Sequence, residues 1–425
     1  MQKIYFGIII LAVFISACAY DGSSTSGATD GGIFGGELTD EPVELLVWMD
    51  NEDWAMAAMQ AFANIYPNVT FQFQQMGNVD SRGYMQLDGP AGLGADVFML
   101  VHDQVTFAIS DGLIEPVPED LQEKWEEELV ASAVQTATHD GRMHAVPVAV
   151  ENIALFYNKQ LWGPEPPQTW EEIIEFSRTY NNPATNDWTM AWDVGNSYLN
   201  FIWLTAGGMQ LFGPNMDDYR QPNFDSPEAA RGIELFLSMR QLFDLPLTDI
   251  NFNTGEERFR LGEVPFTLTG PWAFRDLREN GVDFGVARIP TIGEVQPIAF
   301  SGNILAAVSS FSPPSKQPWA YAFIDFLVSE EGATIMFDEM YTMTSRRDIA
   351  AIPGLSDDPH FAGIAQQTPY TVPMPTIPQV AQMWNPIEEM LRFTWDGDLT
   401  IPEAQERAMD TYRLLLSVAG INPDF

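Results

Sequence analysis

The run from Ala145 to Tyr157, AVPVAVENIALFY, constrains this chain more than any other stretch. Valine, isoleucine and aromatic side chains fit the pleated surface of a sheet, so the run predicts a long buried strand. Near its middle stands one ionisable residue, Glu151. A lone carboxylate in an apolar strand is expensive to desolvate, so either the protein or a ligand must hydrogen-bond to it.

A length of 425 residues exceeds one ordinary core and points to about two domains. With 46% hydrophobic residues, 12 Trp, 12 Tyr and 28 Phe, the chain can build a sizeable core and aromatic-lined clefts. The 59 acids against 20 Lys and Arg leave a net charge of -39, and no basic patch or stripe is visible, which argues against nucleic acid and polyanions as partners. The acidity itself reads as a solvated surface, suited to a saline habitat.

Met1 to Ala17 has the parts of a secretory signal peptide: Lys3, an apolar run from Ile4 to Ile15, then Ser16 and Ala17. The run is too short to span a bilayer comfortably. Ile15-Ser16-Ala17-Cys18 resembles a bacterial lipoprotein signal box, which implies lipidation of Cys18 and a mature protein held to the membrane by acyl chains, outside the cytoplasm, on the periplasmic or outer face. Cys18 is the only cysteine, so no internal disulfide forms. Residues 18–42, rich in Gly, Ser, Thr and Asp, read as a flexible tether, with order beginning at Val43.

Strand patterns at Val43 to Met49, Val69 to Gln74, Ala95 to Val101, Phe284 to Ile289 and Asn303 to Ser309 alternate with helical patterns, among them Trp54 to Tyr66, Trp319 to Val328, Gly332 to Met340 and Glu403 to Val418. That alternation argues a mainly parallel α/β architecture in two lobes. Glu52, Asp53, Asp103 and Gln104 fall just after the apolar part of a strand, where ligands sit in open α/β sheets. Each is also a residue type that caps helices or turns. Thr169 and Glu172 have the spacing of a capping box, so Glu171 and Glu172 read as structural. Ser226-Pro227 opens a helix, VPFTLTGPWAF (264–274) places Trp272 after a tight turn, and Trp384 heads a later helix. The glycines of 89–94 lack a phosphate-loop ending, and the four histidines have no metal-binding spacing.

Several ordered motifs together carry a resemblance: ADVFMLVHD (95–103), DGRMHAVPVAVENIALFYNK (140–159), PPQTWEEI (166–173), TLTGPWAF (267–274), the SEEG turn (329–332) and MPTIPQVAQMW (374–384). From about Val43 to the C-terminus the chain resembles the maltose/maltodextrin-binding family of extracellular solute-binding proteins, which serve ATP-binding cassette sugar importers. The resemblance implies a two-lobe periplasmic-binding-protein-like α/β fold. Its discontinuous lobes would comprise 43–149 plus about 305–345, and 150–302 plus about 346–425. Crossover hinge segments would lie at Ala149 to Asn152, near Ser301 to Leu305 and near Tyr341 to Ala350, with a sugar bound between the lobes.

Matched residue by residue, Asp103 and Glu151 take the place of family acids that meet sugar hydroxyls, and Tyr198, Trp272 and Trp384 that of aromatics that stack on pyranose rings. A sugar offers a C–H face to an aromatic ring and hydroxyls to carboxylates, so these residue types suit a neutral saccharide. The chain departs from the family pattern at Leu100 (tryptophan in the type member), Gln104 (arginine), Asp53 (lysine, preceded here by Glu52) and Asn196 (glutamate), so the individual sugar stays open. The expected ligand-binding set is therefore Asp103, Glu151, Tyr198, Trp272, Trp384, Glu52, Asp53, Gln104 and Asn196, with no cofactor and no metal.

These observations imply a monomeric binding lipoprotein that captures an oligosaccharide, closes on it and presents it to the permease subunits of an importer in the membrane. Two alternatives remain at this point. One is a glycoside hydrolase using Asp103 and Glu151. The other is a binding protein for a cationic, non-sugar solute, whose affinity would fall as salt rises.

Overall fold

Residues 34–245 and 252–425 are described by the computed structural model of the chain. The signal peptide, Cys18 and the tether as far as residue 33 lie outside the described residues. The remainder of that tether is not loose. Phe34 and Leu38 pack against the first core, and Gly35 and Gly36 run so close to Pro118 and Pro318 that an added Cβ would lie 2.9 and 2.8 Å from their Cγ atoms. Asn68 donates its side-chain amide to the carbonyls of Thr39 and Glu41, at 3.0 and 3.2 Å. Order is thus present from Phe34, before the strand at Val43.

Eleven strands follow in chain order among the described residues: β1 (Val43–Met49), β2 (Val69–Gln75), β3 (Val97–Val101), β4 (Thr138–His139), β5 (Arg142–Met143), β6 (Val146–Asn152), β7 (Ala154–Asn158), β8 (Phe266–Thr269), β9 (Phe284–Ala287), β10 (Ala299–Val308) and β11 (Thr371–Pro373). Six form one sheet, ordered β11-β10-β3-β1-β2 with β6 also on β10. A second sheet is ordered β8-β7-β9. β1 pairs in parallel with β2 and β3, but β10 runs antiparallel to both β3 and β6, and both ladders of the second sheet are antiparallel. The expectation of a mainly parallel architecture is therefore corrected to mixed sheets. Alternating strand and helix patterns report how long the connections are; they do not report the direction in which a strand returns.

The long strand expected over Ala145 to Tyr157 is likewise two strands. The run breaks at Ile153, so that β6 joins the first sheet and β7 the second. Both are mostly buried, which is why their composition is continuous across the break. Glu151 consequently sits where the chain passes between two sheets.

Two hydrophobic cores flank this passage. The first gathers β1 to β3, most of β6 and the distal half of β10 around Trp48, Trp54, Phe62, Trp125 and Phe323. The second gathers β7 to β9 and the helices Ser197–Ala206, Pro227–Ser238, Trp384–Asp396 and Ile401–Val418 around Trp170, Trp192, Trp203, Trp395 and Tyr412. Between them β6 lies beside β10, with Asn152 opposite Ser301 and Glu151 opposite Gly302. On its other side it meets residues 343–345: Val150 donates to the carbonyl of Met343 at 3.0 Å and Ser345 to that of Val148 at 3.1 Å. The helix Glu330–Met340 serves both cores, burying Met336 in the first and Ala333 and Phe337 in the second.

Local chemistry fixes the helix starts. Asn51 accepts the backbone N–H of Trp54 at 2.8 Å, and Ser226 accepts that of Ala229 at 3.1 Å ahead of Pro227. Thr169 accepts from Glu172 at 3.3 Å, while the Glu172 carboxylate reaches back one residue further than a capping box, to the N–H of Gln168 at 2.9 Å. Glu171 accepts the N–H of Gly293 at 2.9 Å, so both members of this acid pair are committed to structure.

Candidate functional site

A cavity of about 240 Å³ opens between the two cores over the crossover strands. Asp50, Asn51, Trp54 and Asn78 wall it on the first side, and Trp272, Arg275 and Asp276 on the second. Its floor is Val148, Ala149 and Glu151 of β6 with Ile304 of β10 and Thr342. Glu151 and Trp272, singled out from sequence for different reasons, thus face one space.

The acids here are short of partners. No hydrogen bond or ion pair among the described residues reaches the Glu151 carboxylate; burial, then the charge of Asp50, push it up to about 7. Asp50, at the end of β1, accepts from the side-chain amide of Asn78 at 2.7 Å but leaves Oδ1 buried and unpartnered. Burial raises its pKa against the opposing effect of its hydrogen bonds. The buried indole N–H of Trp54 and the hydroxyl of Thr342 are also unpartnered. The wall therefore offers acceptors, a donor and two tryptophans, an inventory matched to a polyhydroxylated ligand with apolar ring faces.

A second group adjoins the cavity through Glu151. Asp103 lies in the 3-10 turn His102–Gln104 that follows β3. Its Oδ2 accepts the indole N–H of Trp384 at 3.2 Å, its Oδ1 is buried without a partner, and burial pushes the carboxyl up to about 6. Tyr198 stacks on Phe300 with centroids 6.2 Å apart, and Trp384 meets the same ring edge-on at 5.9 Å. A Cβ built on Gly302 would lie 3.2 Å from the Tyr198 hydroxyl, so the absence of a side chain there lets the phenol close on the strand pair that carries Glu151. Burial first, then Glu151 and Asp103, raise the Tyr198 pKa.

The remaining expected residues have other duties. Asn196 caps the helix Ser197–Ala206, its Oδ1 accepting from Leu199 at 3.0 Å. Asp53 pairs with Arg275 across the gap at 2.8 Å, and Glu52 is exposed. None of these three lines the cavity. Gln104 donates to the carbonyl of Val79 at 2.8 Å and keeps its side-chain oxygen buried and unpartnered.

Sequence reasoning missed Asp50, Trp54, Asn78, Arg275 and Glu256. The strand-end rule that pointed to Asp103 applies equally to Asp50, and Trp54 was absorbed into a helix pattern. Arg275 donates to the carboxylates of Asp53 and Glu279 and, at 2.7 Å, to the carbonyl of Glu339. Glu256 accepts the indole N–H of Trp272 at 3.2 Å and the hydroxyl of Thr269. Among the described residues no group of three or more His, Cys, Asp or Glu is placed to hold a metal ion, and no helix is long and apolar enough to cross a membrane.

Comparison with known proteins places this geometry in context. The profile of the family described as bacterial extracellular solute-binding protein matches residues 57–363. A maltotriose-binding protein from Pyrococcus abyssi is 24% identical over 81% of this chain and 76% of its own length. A galactooligosaccharide-binding protein from Bacillus subtilis is 24% identical over 87% of this chain and 88% of its own. Among solved structures, a cyclo/maltodextrin-binding protein complexed with maltotetraose superimposes with a TM-score of 0.76 at 26% identity, covering 88% of this chain and 98% of that one. The Thermus thermophilus maltotriose binding protein bound with maltotriose gives 0.78 at 22% identity, covering 88% and 100%, and supports the shared fold.

Proposed function

Because the chain belongs to the bacterial extracellular solute-binding protein family, we propose that it captures an oligosaccharide of the maltose and maltodextrin type and hands it to an ATP-binding cassette importer. One observation carries this reading: Trp272 from one side and the unpartnered Glu151 from the crossover face a single cavity. A pyranose laid on the indole turns its hydroxyls toward the Glu151 carboxylate, which no protein donor reaches among the described residues, and toward Asp50 Oδ1, which is buried without a partner. The sugars named for the relatives support the ligand class.

The mechanism is a two-state clamp. Residues 34–149 with about 305–345 form one lobe and 150–302 with about 346–425 the other, hinged on the three adjacent crossover segments. The saccharide touches both walls only when the lobes are shut, so binding draws the population to the closed form. Protein contacts that bridge the gap include Asp53 with Arg275, Arg275 with the carbonyl of Glu339, and Asp103 with Trp384. A half-exposed ion pair contributes only about 0–1 kcal/mol and a typical hydrogen bond about 0.5–1.5 kcal/mol net, so these contacts bias closure modestly and the ligand adds to it. Glu151, Trp272, Asp50 and Trp54 contact the ligand directly in this account. Asp103, Gln104, Tyr198 and Trp384 form the adjoining wall, and Asp53 acts as a fastener.

Lipid at Cys18 anchors the monomeric protein outside the cytoplasm, and permease subunits are its partners. The protein binds without turnover. Tryptophan fluorescence titrated with maltose, maltotriose, trehalose and a cyclodextrin, with the sugars analysed by chromatography after hours of incubation, tests this. Saturable binding with intact sugar is expected; cleavage products would move Glu151 and Asp103 to a hydrolytic role.

A further inference from the structure

We infer that Glu256 is the positioning residue for the sugar-stacking platform, fixing the plane of the Trp272 indole and consuming its N–H so that the ligand meets only the ring face. The inference rests on the proposed saccharide site and assigns a further residue to it.

Three observations converge. Glu256 is only partly exposed, and its Oε1 accepts from both the Trp272 indole at 3.2 Å and the Thr269 hydroxyl at the end of β8. Bonds to an ionised acceptor are the stronger kind, and this carboxylate, partly withdrawn from water, has strong reason to keep them. Next, the indole lies over Gly270: a Cβ there would fall 2.2 Å from ring carbon Cζ3. Any other residue at 270 would lift the ring from its seat. Finally, Glu256 itself is held in place. A Cβ on the preceding Gly255 would lie 2.7 Å from the backbone carbonyl carbon of Trp192, so the helix carrying Glu256 is pressed directly on that backbone.

The contrast with Trp54 sharpens the assignment. Both tryptophans line the cavity, yet the Trp54 N–H is buried without a partner whereas that of Trp272 is engaged by the protein. Trp54 therefore keeps a donor for the ligand. Trp272 is a flat apolar surface with its one polar atom tied behind it, and an unfixed indole would lose rotational freedom on binding and weaken the complex.

The test uses the full mature protein and the variants E256A, E256Q, W272F and E256A/W272F. Without ligand, the indole N–H resonance of Trp272, identified by its absence in W272F, is followed by two-dimensional NMR. It should shift and exchange faster with solvent in E256A, and should stay near its wild-type position in E256Q, whose side-chain oxygen can still accept. With maltotriose, E256A should weaken binding about tenfold and E256Q less than about threefold. E256A/W272F should bind no more weakly than W272F alone, because the two residues act through one ring. An unmoved resonance in E256A, or losses that add in the double variant, would overturn the assignment. If E256A fails to fold, a wild-type-like resonance with wild-type binding in E256Q supports it, and a displaced resonance in E256Q overturns it. A wild-type protein that binds none of the saccharides while the resonance still moves would reject the sugar reading and leave the positioning of the ring established.

Discussion

Glu151 has a folded-state pKa near 7 against an ordinary 4.5, because burial and Asp50 both disfavour its charge. The folded protein then holds more protons than the unfolded chain between these values, so this residue makes stability fall as pH rises from about 4.5 to about 7. Melting of the ligand-free protein across that range should show the decline, and Glu151→Gln should flatten it. Sugar hydroxyls that donate to the carboxylate favour its charged form, so binding should release protons near neutrality and tighten as pH rises. Calorimetry in buffers of different ionisation enthalpy checks this; equal apparent enthalpies would contradict it. Trp272→Ala should weaken binding about 10- to 100-fold through the lost ring face. At this scale the sequence exposed what is odd in isolation: an acid in an apolar run, or a tryptophan after a tight turn. Asp50, Arg275 and Glu256 become site residues only through what the fold brings to them. Asn196 is ambiguous in sequence because the residue before a helix is also its natural cap, a duty its Oδ1 performs here.

Strands and helices show the same division. Helix starts at Asn51, Thr169 and Ser226 are written in capping chemistry, and the structure realises them locally. The break at Ile153 is not written, because buried strands of two different sheets share one composition. β10 is longer than its apolar core suggests because its first residues belong to the second core and its last to the first. Gly302 is the sensitive point of this strand. Gly302→Val should push the Tyr198 hydroxyl away from the β6–β10 pair, lowering saccharide affinity several-fold while the far-UV circular dichroism stays unchanged. An unchanged affinity would remove Tyr198 from the binding wall.

For the whole molecule, two cores joined by three adjacent segments leave relative motion as the soft coordinate. The two-lobe organisation was legible through the ordered motifs, while the packing of residues 34–42 on the first core was not, since its glycines act by close approach to Pro118 and Pro318 rather than by burying side chains of their own. Removing the fastener with Asp53→Ala should raise the dissociation constant about two- to fivefold and expand the ligand-free particle in small-angle scattering, with a smaller effect at high salt. The most direct test of the account is a calorimetric titration of the protein and of its Trp272→Ala variant with maltotriose. One saturating site in the first, with the heat abolished or the affinity sharply reduced in the second, is the predicted result. No binding of maltotriose, maltose, trehalose or a cyclodextrin to the unaltered protein, or equal affinity in the variant, would contradict it.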